Sequence, residues 1–189
     1  CKSVCQTNKE LSEVKESSVF KFVLDDNAEV KKSQSGGAFT ALSNQILNNQ
    51  GVIYGCIYDL ENHRAVHVRT DNVNGRNNMR GSKYIQSDIQ EIYLLVEADL
   101  KDDKQVMFTG TPCQCEGISL YLEKRHINKE NLLLVDIICH GVPSPELWKS
   151  NISWIENKYQ GKIVAVNFRN KKFGWHSHIE TYNIGEKEY

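Results

Sequence analysis

The order of apolar runs between residues 105 and 168 constrains the fold more than any other feature of this sequence. QVMFT (105–109) reads as a strand, Pro112 to about Lys124 as a helix, LLLVDIIC (132–139) as a strand, Pro145 to about Tyr159 as a helix and KIVAVNF (162–168) as a strand. Two successive strand–helix–strand units imply a parallel sheet, because right-handed crossovers lay the connecting helices on its faces. The predicted fold class is α/β: a mixed sheet with a parallel βαβαβ half flanked by helices, and an antiparallel hairpin supplied by the N-terminal half.

That first half is less regular. FKFVL (20–24) predicts a short strand. After Ser35-Gly36-Gly37, the apolar positions Ala38, Ala41, Leu42, Ile46 and Leu47 have helical spacing, which Gly51 closes. GVIYGCIY (51–58) and AVHVR (65–69), joined by a polar loop, predict a hairpin or neighbouring strands. Asn72 to Arg80 is polar without a period and reads as loop. Ser87 with Gln90 fits a capping box, after which Ile89, Ile92, Tyr93, Val96 and Leu100 follow one helical face.

A chain of 189 residues with 40% hydrophobic content has material for one globular core. Twenty-three basic residues are scattered among 24 acidic ones, which is not the footprint of a nucleic-acid binder. The apolar run Leu132 to Val135 is cut by Asp136 far short of a membrane span, so the expectation is a soluble, cytoplasmic protein. Both ends read as abrupt, and the chain reads as an excerpt of a longer one. The expected division is a remnant or linker over residues 1–17 and an α/β domain over 18–189.

Six cysteines are many for a reducing compartment and sparse for a disulfide-stapled secreted protein of this length, which favours thiol and metal chemistry. In GTPCQCEG (110–117), Thr111 can cap the following helix, Pro112 suits its first turn and Gln114 completes a Thr-x-x-Gln box. Cys113 then lies in the first turn, where the free N–H groups and the positive end of the helix dipole favour a thiolate. Cys139 ends the next predicted strand, before His140-Gly141 and the turn at 142–145. Carboxyl ends of parallel strands line the ligand crevice of such sheets, so Cys113 and Cys139 are expected at one opening. Most free cysteines are small buried hydrophobes, and Cys56 and Cys115, inside predicted elements, read that way.

Named chemistries can be weighed against these residues. A zinc deaminase needs Pro-Cys-x-x-Cys beside its His-x-Glu, and Pro112-Cys113-Gln114-Cys115 has the wrong spacing. A thioredoxin-like Cys-x-x-Cys is also absent. A cysteine hydrolase would need a histidine beside the thiolate, a role open to His140. An iron-sulfur cluster usually takes four thiolates, and the predicted crevice supplies two. Ser35-Gly36-Gly37 before a helix suits a phosphate, or is a plain helix start. Arg80-Gly81-Ser82-Lys83-Tyr84 gathers two cations, a hydroxyl and a ring that suit an anionic ligand, or is a solvated turn.

Taken together and in order, SQSGGAFTAL (33–42), GVIYGCIYD (51–59), RGSKYIQSD (80–88), MFTGTPCQ (107–114), VDIICHGVPSPELW (135–148) and NFRNKKFGW (167–175) resemble the beta-subunit family of coenzyme F420-reducing hydrogenases and dehydrogenases. The resemblance implies a flavin and iron-sulfur oxidoreductase subunit that passes electrons between 4Fe-4S clusters, FAD and a soluble carrier such as the deazaflavin coenzyme F420. By that resemblance Cys113 and Cys139 are cluster ligands near the flavin, and Cys1 and Cys5 are the tail of an N-terminal ferredoxin module, with Gln6 where the family usually has proline. The loop Ser35-Gly36-Gly37, the stretch Arg80, Gly81, Ser82, Lys83 and Tyr84, the turn Gly110, Thr111 and Pro112, and His140 would line the FAD and substrate cavity. Lys83 or Arg80 would stabilise an anionic reduced flavin. Cys115 stands where the family is ordinarily apolar and is expected to pack, and the family's downstream cysteine-rich region is absent from these residues. A redox carrier or partner subunit, in a homo- or hetero-oligomer, is the expected company. The competing readings are a non-catalytic cysteine-metal or scaffold module of the same fold, and a thiol enzyme using Cys113 with His140.

Overall fold

A computed structural model describes residues 17–189 apart from Phe173 and Ser177. A five-stranded sheet forms its centre, with β1 (Val52–Asp59), β2 (Arg64–Thr70), β3 (Ser87–Asp88), β4 (Val106–Gly110) and β5 (Leu132–Asp136) in the order β3-β2-β1-β4-β5. β1 pairs antiparallel with β2 as the predicted hairpin, and parallel with β4, which pairs parallel with β5. Alternation along β1 and β4 covers the sheet on both faces. Val52, Tyr54, Val106 and Phe108 pack under helices α4 (Ile92–Lys101) and α5 (Pro112–Lys124) through Ile92, Val96, Ile118 and Leu122. Ile53 and Met107 face the other way, onto Ile46 of α2 (Ala38–Asn48) and Met79.

The mixed α/β class is as expected, but the second crossover is not. α6 (Pro145–Tyr159) runs from β5 to β6 (Ile163–Asn170), and β6 leaves the central sheet to pair antiparallel with β7 (Ile179–Ile184), which pairs with β8 (Lys187–Glu188). The reason lies in what α6 buries. Trp148, Ile152 and Ile155 pack with Ile163, Phe168 and Tyr182 of the small sheet and with Ala65 and Ile85, so β5 is left as the edge of the large one.

Four local expectations are corrected. FKFVL (20–24) forms no strand; its Leu24 N–H donates to Gly36 O at 2.8 Å, while Val19 and Phe20 stand 94% and 85% exposed. The polar stretch before Arg80 contains α3 (Val73–Asn78), started by Asn72, whose side chain accepts Gly75 N–H at 2.9 Å. The Ser87/Gln90 capping box does not form, because Ser87 joins β3 and α4 starts only after Glu91. The strand predicted over 132–139 stops at Asp136, and Ile137 N–H still reaches Gly110 O at 3.0 Å before the chain turns away. A short helix α1 (Asn27–Lys32), capped by Asp26, precedes the glycine loop.

Candidate functional site

The site lies at the carboxyl edge of the central sheet, where β1, β4 and β5 all end. Pairing of Gly110 with Asp136 puts both thiols at matching places, Cys113 three residues beyond β4 and Cys139 three residues beyond β5. The capping box of α5 is present, with Gln114 Oε1 accepting Thr111 N–H at 3.0 Å. Thr111 Oγ1 stands 3.1 Å from Cys113 Sγ, and Cys139 Sγ accepts Gly141 N–H at 3.4 Å. Both thiols are exposed, as is His140. The partner of Cys113 is thus Thr111 rather than His140. Cys115 is buried against α4, and burial pushes its thiol up to about 12, which makes it a packing residue as expected.

Among the described residues, no three His, Cys, Asp or Glu side chains gather in a geometry that could hold a metal ion. Cys1 and Cys5 lie outside the described residues. A 4Fe-4S cluster needs four thiolates, and this edge offers Cys113 and Cys139 only, so the described residues do not complete one.

A cleft of about 540 Å³ opens beside β1, between the central sheet and β6. Arg80, Gly81, Ser82 and Lys83 line it, without Tyr84, together with Lys32, Gln34, Tyr58 and Arg169. Four of its lining residues are cationic and none is a carboxylate. Arg80 pairs with Glu29 from outside the lining, a carboxylate that also takes Lys32 Nζ at 2.9 Å. Bonds from Lys32 and Arg80 hold that carboxyl below its usual range. Two polar atoms here are buried without a partner, Gln34 Oε1 and Arg80 Nε. Orphaned polar atoms in a cationic hollow are what a polar anionic ligand would satisfy.

Lys83 does something the sequence did not suggest. Its ammonium donates to the carbonyls of Met79 and Arg80 at 3.0 Å each, of Gly81 at 3.2 Å and of Asn78 at 3.4 Å, tying down the turn after α3. Burial lowers its pKa to about 8, while those carbonyls favour the charged form. It acts on the cleft as a nearby positive charge and a clamp rather than as a free arm. Tyr84 is 46% exposed and sets its ring edge-on to Phe168 at 6.4 Å.

The glycine loop is not an open cradle. A Cβ on Gly36 would lie 2.0 Å from Phe22 O, and Gly37, at φ 87°, lies under the Leu24 side chain. These glycines admit the 22–24 segment, and it is the adjoining Gln34, rather than Ser35, that reaches the cleft. Residues 166–169 are a second miss: the NFRN stretch stood out in the sequence, but only the folding of β6 across the cleft makes Asn167 and Arg169 lining residues.

The segment after Lys83 ties the parts together. Gln86 N–H donates to Pro143 O at 3.3 Å, beside the Cys139 loop, and Gln114 Nε2 donates to Ser87 Oγ at 2.8 Å, beside Cys113.

Fold and site together define an α/β protein with a cleft lined by four cations and with two exposed thiols beyond the ends of β4 and β5. Residues 103–188 match the family described as the C terminus of the coenzyme F420 hydrogenase/dehydrogenase beta subunit. The chain is similar in fold to a chain of the F420-reducing [NiFe] hydrogenase complex from Methanosarcina barkeri, with a TM-score of 0.59 and 19% identity over 88% of this chain. It spans 57% of that longer chain. No curated protein matches. Among the described residues, no helix is long and apolar enough to cross a membrane.

Proposed function

We propose that this chain is the flavin-holding part of an oxidoreductase beta subunit, exchanging electrons with a soluble carrier such as coenzyme F420 and working beside a partner subunit. The observation that carries the reading is the cleft at the sheet edge, with four cations, no carboxylate and two orphaned polar atoms. Its residues fit an FAD. Lys32, Arg80 and Arg169 would meet the phosphates, and Gln34 Oε1 would accept a ring or ribose N–H or O–H. The Tyr58 and Phe168 rings would wall the cleft from water. Bound there, the flavin supplies the redox chemistry. The chain's own part is to bind the anion, fix its orientation through the clamped 78–83 turn and keep the cleft dry. Cys113 and Cys139 are two of the thiolates a 4Fe-4S cluster would take, and the described residues do not supply the others.

The test is a flavin titration of anaerobically prepared protein, followed by fluorescence, with iron and acid-labile sulfide measured in parallel. Stoichiometric FAD that weakens by at least about tenfold in Arg80→Ala, the worth of one charge-assisted contact, supports the reading. Absence of binding, or equal binding by Arg80→Ala, removes it.

A further inference from the structure

A row of polar side chains leads away from the cleft to the far end of the β1–β2 hairpin, and beyond the Tyr58 ring the flavin reading makes no use of it. Tyr58, near the end of β1, lines the cleft. Its phenol oxygen accepts Trp148 Nε1–H at 3.2 Å and lies 3.1 Å from His63 Nδ1. His63 Nε2 stands 3.9 Å from Glu156 Oε1. Glu156 is itself held in place, accepting Ile163 N–H at 3.0 Å and Lys162 Nζ at 2.7 Å. His63 and Glu156 line a second hollow of about 600 Å³. The row therefore starts at one hollow and ends at another.

The chemistry of the three groups fits their order. With the Glu156 carboxylate 3.9 Å from Nε2, the tautomer that carries its proton on Nε2 turns Nδ1 to the Tyr58 hydroxyl. When Nδ1 also carries a proton, the phenol oxygen accepts from both His63 and Trp148, and its own O–H proton is left to donate to whatever occupies the cleft. Burial pushes the Tyr58 phenol up to about 12, so it holds its proton until a basic atom in the cleft takes it. The charged groups around the row are mostly acidic. Asp59 and Glu180 act on Tyr58, Glu61 shares the second hollow, and Lys162 is engaged by Glu156.

We infer that Tyr58, His63 and Glu156 form a proton relay, in which Tyr58 protonates a ligand reduced in the cleft and His63 restores the phenol. This rests on the reading of the cleft as a redox site, since a carrier that gains two electrons there must also gain a proton. The Tyr58 O–H bond breaks as its proton passes to the basic atom of the ligand. The His63 Nδ1–H bond then breaks as that proton passes to the phenolate oxygen. His63 is left neutral, with Nε2–H toward Glu156. A half-turn of the ring, whose side chain is 20% exposed, presents the bare nitrogen to the second hollow, where water returns the proton. Glu156 is a positioning residue, acting through His63.

The relay is tested first without any ligand, on the full chain carrying 13C-labelled tyrosine, by the exchange of the Tyr58 hydroxyl proton with water. A step assisted by a positioned imidazole slows by at least about tenfold in His63→Phe, and by less in Glu156→Gln. His63→Gln, which can hydrogen-bond but cannot carry a proton, should be as slow as His63→Phe and serves in its place if the bulkier variant does not fold. An exchange rate in either His63 variant equal to that of the unchanged protein overturns the relay. In flavin-loaded protein, Tyr58→Phe should slow proton uptake after photoreduction at equal flavin occupancy, and unchanged uptake also overturns it. Failure of the protein to bind flavin would remove the reading of the cleft, and the hydroxyl exchange would still decide the relay.

Discussion

Replacing Gly36 by alanine separates two reasons for a glycine at this place. If the residue lets backbone N–H groups approach a phosphate, the substitution spares the fold and removes the ligand. The structure argues for the other reason, because the added Cβ would sit 2.0 Å from Phe22 O, 3.0 Å from Phe22 C and 3.2 Å from Val23 Cα. All three are backbone atoms, so no side-chain rotation relieves the clash. The 22–24 segment has to lift, and the bond from Leu24 N–H to Gly36 O, at 2.8 Å, is lost with it. Overpacking of this kind costs ~1–3 kcal/mol and the bond adds ~1 kcal/mol, so Gly36→Ala should destabilise by roughly 2–4 kcal/mol. In urea unfolding followed by tryptophan fluorescence, a loss of ~2 kcal/mol moves the midpoint down by about 1 M at a slope of ~2 kcal/mol per molar. The neighbouring Ser35→Ala, at an exposed residue, should stay within about 0.5 kcal/mol. A Gly36→Ala protein with an unchanged midpoint and lost flavin affinity would refute this reasoning and restore the phosphate cradle.

Lys83→Met should weaken FAD binding and remove its pH dependence near pH 8, where burial has brought the ammonium. The sign is set by the unfolded chain, which binds this proton more tightly, up to about pH 10.4. Between about 8 and 10.4 this group adds stability as pH rises, while the cleft loses a positive charge and anion affinity falls; a wild-type affinity flat across that rise contradicts it. Cys113→Ser and Cys139→Ser, at exposed thiols, should each change unfolding free energy by less than about 0.5 kcal/mol, whereas Cys115→Ser should cost ~1–2 kcal/mol in the same urea assay. Burial would raise the Asp99 pKa, but bonds from Arg69, Lys104 and Tyr54 overcome it and hold the carboxyl at about 2. Its contribution is therefore complete above about pH 4 and lost as pH falls from about 4 toward 2, so Asp99→Asn should flatten acid unfolding followed by circular dichroism over that window.

What could be read from the sequence follows what is decided locally. α5 and α6 run to the expected residues because Thr111-Pro112 and Ser144-Pro145 fix their starts, and two apolar runs joined by a short polar loop mark the hairpin. FKFVL has the composition of a strand, yet a strand exists only where a ladder partner does, and that segment lies over the glycine loop instead. The placement of β6 was hidden for the same reason: its own residues suit either sheet, and the buried face of α6 decides between them. At the site, Arg80 to Lys83 and both thiol positions were legible from charge, turn residues and strand ends. Gln34, Tyr58 and Arg169 were not, because they come from separate elements and meet only through folding.

Two hydrogen bonds at the end of the 80–87 segment tie it to both thiol-bearing turns. Gln86 is bonded to Pro143 and Ser87 to Gln114, so the wall of the cleft is also the support of both thiol-bearing turns. If an anion in the cleft tightens this segment and so favours one arrangement of Cys113 and Cys139, thermodynamic linkage requires a group held by those thiols to return the same free energy to the anion. Loading of one half of the site would then be a term in the affinity of the other.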